Sequence, residues 1–255
     1  MSIKSLALVG LSSLLLVVGC GSSDNDKPAA AEGTPNKQGA SSATTATISA
    51  VQTAIKPAAG GTNAGQASAN QLSSAAQATQ GLVTPSAGTA AKSFAIPGLE
   101  LADFLRPQAD PAQTGTCTCT ADSCTFAACS NGAVTIDGTY SFGAGKIKAT
   151  GLKYTIDVAT GLTAKLVITV DADITATATS LDGSFHSAGS TDGMAGGQTF
   201  SSAWDSTLEF KNVTFPSGGG AATGGSSHVS STTTVTAGGA TQAYQGTFDL
   251  TFPAN

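Results

Sequence analysis

Leu162-Thr-Ala-Lys-Leu166-Val-Ile168-Thr-Val170-Asp-Ala172-Asp-Ile174-Thr-Ala176-Thr-Ala178 is the stretch whose reading decides the fold. Every second residue from Leu162 to Ala178 is apolar, and the residues between them are largely Thr, Lys and Asp. Successive side chains of a β-strand point to opposite faces, so this pattern describes a strand with one dry and one wet face. At roughly 3.3 Å per residue the run would extend about 56 Å, longer than one flat strand of a small domain. It is therefore expected to bend, coil or break, with Asp171-Ala-Asp173 as the place.

The same period extends outward on both sides. Val134, Ile136, Tyr140 and Phe142 alternate with polar residues, with Gly138 in their register. Leu152, Tyr154, Ile156 and Val158 follow Gly151, which reads as a bulge. Trp204, Leu208 and Phe210 keep one register while Val213 and Phe215 shift by one, placing a second bulge at Lys211-Asn212. Val229, Thr233 and Val235 form a weaker strand, and Tyr244, Phe248, Leu250 and Phe252 a strong last one. Short connections such as Gly143-Ala-Gly145 and Ala237-Gly-Gly-Ala240 favour antiparallel neighbours. The Gly-rich runs Ala188 to Gly197 and Pro216 to Ser227 read as mobile loops. A loose motif recurs in Ile136-Asp-Gly-Thr-Tyr140, Leu181-Asp-Gly-Ser-Phe185 and Tyr244-Gln-Gly-Thr-Phe248, and suggests equivalent strand crossings at a glycine. The expected body is mainly β: an antiparallel meander of about seven to nine strands, forming a curved sheet or an up-and-down barrel.

Composition sets its limits. All 14 aromatic residues lie between Phe94 and Phe252, so a dense core is expected only in residues 94–255. That segment carries six basic and thirteen acidic residues, and its one arginine, Arg106, is the only one in the chain. Such a body has no electrostatic footprint for phosphate backbones, which excludes nucleic acid as a partner. At its head stands Thr116-Cys117-Thr-Cys119-Thr-Ala-Asp-Ser-Cys124-Thr-Phe-Ala-Ala-Cys129. Four thiols in an exported domain point to two disulfides. Zinc sites use C-x2-4-C pairs separated by a longer span, and the C-x-C-x4-C-x4-C spacing here departs from that. A hairpin turning at Ala121-Asp122-Ser123 would set Cys119 opposite Cys124 and leave Cys117 for Cys129.

The export assignment comes from the start of the chain. Lys4 and the apolar stretch Leu6 to Val18 form a short n-region and an h-region too short to span a bilayer, as in a signal peptide. Val17-Val18-Gly19-Cys20 then resembles the lipobox of bacterial lipoproteins, a resemblance limited to residues 1–20. It implies removal of residues 1–19 and a diacylated, usually further N-acylated, Cys20. Two or more acyl chains anchor a protein stably where one does not, so the implied partner is a membrane. Gly21, in place of Asp, implies sorting to the outer membrane, facing either the periplasm or the surface.

Between anchor and body, 46 of the 73 residues from Gly21 to Ser93 are Ala, Gly, Ser or Thr. So little apolar bulk reads as a tether over residues 20–93, with a coil reach of roughly 50 Å. Two stretches within it have helical spacing. Ile48, Val51 and Ile55 do so in Ala46 to Lys56, with Ser41 and Ser42 as N-caps; Ala69, Leu72, Ala76 and Thr79 do so in Gln66 to Gln80. These Ala-rich segments are candidates to cover the apolar face of the sheet.

Catalytic signatures are sparse. His186 and His228, the only histidines, each stand beside a Gly/Ser-rich run and read as solvated. Asp171 and Asp173 share a strand face but lack the remainder of a calcium loop. No G-x-S-x-G elbow, H-E-x-x-H helix or phosphate loop occurs, and Glu100 and Glu209 are the only glutamates of the body. The expectation is a non-enzymatic envelope lipoprotein without a cofactor, whose β body is a structural or interaction module for an unidentified protein partner. The alternative is a carrier of a lipid or other apolar ligand, held between sheet and helices.

Overall fold

The structure is a computed structural model that describes residues 30–55, 63–84, 114–120, 122–131, 134–143, 145–158, 163–195 and 198–253. Cys20, Arg106, Glu100 and Leu162 lie outside these residues. Two short strands, β1 (Ala31–Glu32) and β2 (Thr34–Pro35), precede the helices α1 (Lys37–Ile55) and α2 (Asn63–Ala78) and the strand β3 (Val83–Thr84). Nine longer strands follow: β4 (Thr114–Cys119), β5 (Ser123–Asn131), β6 (Val134–Gly143), β7 (Lys146–Val158), β8 (Thr163–Ala176), β9 (Ser180–Ala195), β10 (Gln198–Thr214), β11 (Gly224–Ala237) and β12 (Ala240–Thr251).

β4 to β12 form an antiparallel meander in which each strand pairs with its sequence neighbours. β1 adds a tenth strand, parallel to β12. The sheet ends at β1 on one side and β4 on the other, so it is open and not a barrel. The tenth strand exceeds the expected number because two residues of Ala31-Glu32 carry no readable period.

Alternation holds along β8. Ala164, Leu166, Ile168, Val170, Ala172, Ile174 and Ala176 are buried, whereas Lys165 and Asp173 are exposed. The strand does not break at Asp171-Ala-Asp173. Instead its neighbour β7 bulges at Thr150-Gly151, opposite Asp171, and the Gly151 N–H donates to Asp171 Oδ1 at 2.7 Å. A bulge adds one residue to one strand of a pair and increases local twist, so the long strand coils without losing pairing.

Two further bulges are built the same way. Ala128 and Asn212 have φ of 47° and 50°. The Ala128 N–H donates to Asp137 Oδ1 at 2.7 Å, and the Asn212 N–H to Asp182 Oδ1 at 2.6 Å. Each of these aspartates precedes a left-handed glycine, Gly138 (φ 113°) or Gly183 (φ 128°). The first two copies of the recurring motif are thus one device: an Asp that caps the neighbouring bulge and a Gly beside a close backbone. The third copy differs, since Gln245-Gly246 pairs with β1 and faces Val83.

The expected loop Ala188 to Gly197 is strand through Ala195, paired on both sides. Its glycines do not mark a loop, because Gly189 serves packing: a Cβ there would fall 2.2 Å from Trp204 Cζ2. The second expected loop is likewise shorter, for β11 begins at Gly224.

The candidate helices are real and longer than their apolar spacing indicated. α1 starts after Asn36, whose Oδ1 accepts the Gly39 N–H at 2.9 Å, so Asn36 is the cap and not Ser41 or Ser42. Buried Thr44 and Thr47 are tolerated inside the helix because their hydroxyls donate to the carbonyls of Ala40 and Ala43, both at 2.9 Å. Residues 30–55 and 63–84 therefore belong to the body and not to a flexible tether.

α2 and the turn after it bury the predicted stripe Ala69, Leu72, Ala76 and Thr79 completely. Small side chains let the helix approach the sheet closely, and polar bonds join them. Tyr154 donates to the Ala69 carbonyl at 2.5 Å, and Tyr140 shares a hydrogen bond with Ser68, which also donates to the Ala50 carbonyl of α1 at 2.8 Å. Farther along, Thr79 donates to Ser187 Oγ at 3.0 Å, and Trp204 Nε1–H donates to the same oxygen at 3.3 Å.

Gly183→Ala is expected to cost about 3 kcal/mol or more, because its Cβ would sit 2.1 Å from the Asp173 carbonyl oxygen at a left-handed φ. Gly218→Ala, with open space around it, should leave the denaturation midpoint within about 0.5 kcal/mol of the parent.

Desolvation raises the pKa of both Tyr140 and Tyr154. Unfolded tyrosine loses its proton near about pH 10, where these two still hold theirs. Their contribution is complete below that pH and declines as pH rises toward the folded values. Denaturant titrations above about pH 10 should show a steep loss of stability in the parent and a shallower one in Tyr140→Phe/Tyr154→Phe.

Candidate functional site

The four body cysteines meet at the β4 corner of the sheet. Cys119 and Cys124 are register partners across the β4–β5 hairpin and are bonded to each other; Cys117 is bonded to Cys129. The second bond depends on the β5 bulge. Cys124 and Phe126 point inward, so uninterrupted alternation would send Cys129 outward. Ala127 and Ala128 are both exposed, and Cys129 returns to the buried face beside Ile136. The odd spacing between Cys124 and Cys129 was the sequence signal of that bulge.

Both histidines lie on the outward face, His186 on β9 and His228 on β11, each beside strands that bear carboxylates. His186 Nε2 is 3.1 Å from Asp205 Oδ1 and its Nδ1 is 3.7 Å from Asp171 Oδ2. His228 Nδ1–H donates to Asp249 Oδ1 at 2.7 Å, and Glu209 is its register partner on β10. The pairing registers set Lys148, Asp173, Ser184, Glu209, His228 and Asp249 in one row across β7 to β12. At the β8 to β12 end of this row lies a shallow depression of about 590 Å³, whose lining also includes Lys211 and Ser226.

Asp171 and Asp173 share a strand face, as their spacing indicates, but the structure gives them different work. Asp171 caps the Gly151 bulge and faces His186, while Asp173 belongs to the charged row. Among the described residues, no group of three or more His, Cys, Asp or Glu side chains is placed to hold a metal ion. The histidines are 36% and 49% exposed, and ion pairs so open to water add little stability. Catalytic pockets are concave and largely shut off from solvent, whereas this depression opens broadly onto the sheet surface. What it offers is a fixed array of three carboxylates with one imidazole and one lysine, suited to contacting a polar surface. Register alone assembled it, and the single sequence held no pairing information from which to find it.

Compared with protein-family models, curated proteins and solved structures, the chain matches none.

Cys117→Ser/Cys129→Ser should lower the unfolding free energy by about 3 kcal/mol. Without reduction, alkylation of the folded parent body should modify none of Cys117, Cys119, Cys124 and Cys129.

Proposed function

We propose that this protein is a lipid-anchored lipoprotein of the bacterial envelope whose β body is a non-catalytic structural or interaction module. The anchor reading rests on the resemblance of Val17-Val18-Gly19-Cys20 to a lipobox. Among the described residues no helix is long and apolar enough to cross a membrane.

The observation that carries the module reading is how the space between helices and sheet is used. Tyr140, Tyr154, Phe185, Ile48, Leu72 and Leu82 are fully buried there within one apolar cluster, and the tyrosine hydroxyls bond to helix atoms. A carrier would keep that space for its ligand. The outward face, with its charged row and the Ser/Thr-rich strand β11, is the surface left for a partner.

Intact-mass analysis of protein extracted from native membranes should show residues 1–19 removed and acyl mass added at Cys20, and Cys20→Ser should abolish that mass. Unacylated protein in the soluble fraction of those cells would overturn the anchor reading. Solvent extraction of the purified body should release no stoichiometric lipid beyond the anchor; release of one equivalent would overturn the module in favour of a carrier.

A further inference from the structure

We infer that the pairing of the four body cysteines is chosen by residues other than the cysteines, and that the two bonds close in a fixed order. Cys119–Cys124 follows from the hairpin turn alone, and Cys117–Cys129 closes only after β5 has docked on β6. Chain length does not make the choice. Cys124 lies five residues after its partner Cys119 and the same distance before Cys129, so loop-closure entropy is equal for the native bond and for a wrong Cys124–Cys129 bond. The wrong bond would leave Cys117 to Cys119, and no covalent link would then join β4 to β5.

Thr120 decides the first bond. Its N–H donates to the Ser123 carbonyl at 2.7 Å, and its hydroxyl accepts the Ser123 N–H at 3.1 Å and donates to Asp122 Oδ1 at 2.9 Å. These bonds join near neighbours in the chain, so they need no other strand in place, and they set Cys119 opposite Cys124. The second bond has no such local device. Pairing sets Cys117 opposite Phe126, and Cys129 reaches it only because the bulge at Ala127-Ala128 turns it inward. That bulge is held from another strand: Asp137 of β6 accepts the Ala128 N–H at 2.7 Å. β4 passes beside it at Gly115, where a Cβ would fall 2.0 Å from the Ala128 carbonyl oxygen. Ala128 has a φ of 47°, which residues other than glycine rarely adopt without such support. Cys117–Cys129 is therefore a lock placed on a sheet edge already in register. Each bond forms as two thiols give two protons and two electrons to a small disulfide oxidant, which leaves as two thiols.

The test is oxidative refolding of the full chain carrying Cys20→Ser, which leaves only the four body thiols. Reduced protein in guanidinium is diluted into buffer with reduced and oxidised glutathione and quenched with iodoacetamide at intervals. The one-bond species are separated by chromatography, and their paired cysteines are read by mass spectrometry after reduction and a second alkylation. Cys119–Cys124 should exceed Cys124–Cys129 at least about fivefold, a ratio within the net worth of the turn hydrogen bonds. In guanidinium, where loop closure alone decides, the two should be near parity. Thr120→Val keeps the shape and loses the hydroxyl, and should cut the refolding ratio at least about threefold. Parity in the refolding parent, a preference that survives in guanidinium, or an unchanged ratio in Thr120→Val overturns the turn as selector. Asp137→Ala should slow the closing of Cys117–Cys129 at least about fivefold and leave the first bond's rate unchanged, while Asp137→Asn, which keeps an acceptor at Oδ1, restores it. A second bond as fast in Asp137→Ala as in the parent overturns the role of the bulge. Should Asp137→Ala fail to fold, the order is read in the parent, where Cys117–Cys129 appearing before Cys119–Cys124, or before the near-ultraviolet circular dichroism of the packed tyrosines, overturns it.

Discussion

An open sheet with one apolar face must be covered, and here the cover is α2 laid along the inner side of the strands. Everything else in the molecule answers to that contact. A stripe of Ala69, Leu72, Ala76 and Thr79 brings the helix near enough for tyrosine hydroxyls of β6 and β7 to reach its backbone or a serine beside it. The contact is apolar in area and polar in registration. Dispersion and burial make it favourable, while the hydroxyl bonds fix where along the sheet the helix stops. Because α1 packs on α2 through partners such as Thr53 and Gln71, 2.9 Å apart, one contact recruits the whole Ala-rich segment into the body.

That recruitment changes what the N-terminal region does. Judged by composition it is a spacer, since it lacks the aromatic bulk to form a core of its own. Folded against the sheet it needs none, because the strands supply the large side chains and the helices supply small ones that fit between them.

The curvature needed for this packing comes from the bulges. A flat meander of strands this long would present its inner face over a width that two helices cannot span. Extra residues at Ala128, Gly151 and Asn212, each with its N–H held by an aspartate on a neighbouring strand, increase the local twist of the sheet. The aspartates resolve an accounting problem: a bulge removes a backbone donor from the ladder, and a carboxylate restores its partner.

The strands that alternate clearly, β6 to β8, β10 and β12, and their facing were determined by the sequence alone, since a period of two ties burial directly to residue number, and the bulges at Gly151 and Asn212 appear where that period slips. The apolar side of each Ala-rich helix was legible for the same reason, at helical spacing. Only the tertiary structure decided the rest. Whether helices so poor in apolar bulk would form depends on a sheet to receive them, for isolated helices of this composition lack the necessary propensity. That Gly189 belongs to a strand depends on Trp204, fifteen residues away and invisible to any local pattern. The row that brings His228 to Asp249 and Glu209 exists through pairing register, a long-range property absent from the local order of residues along the chain.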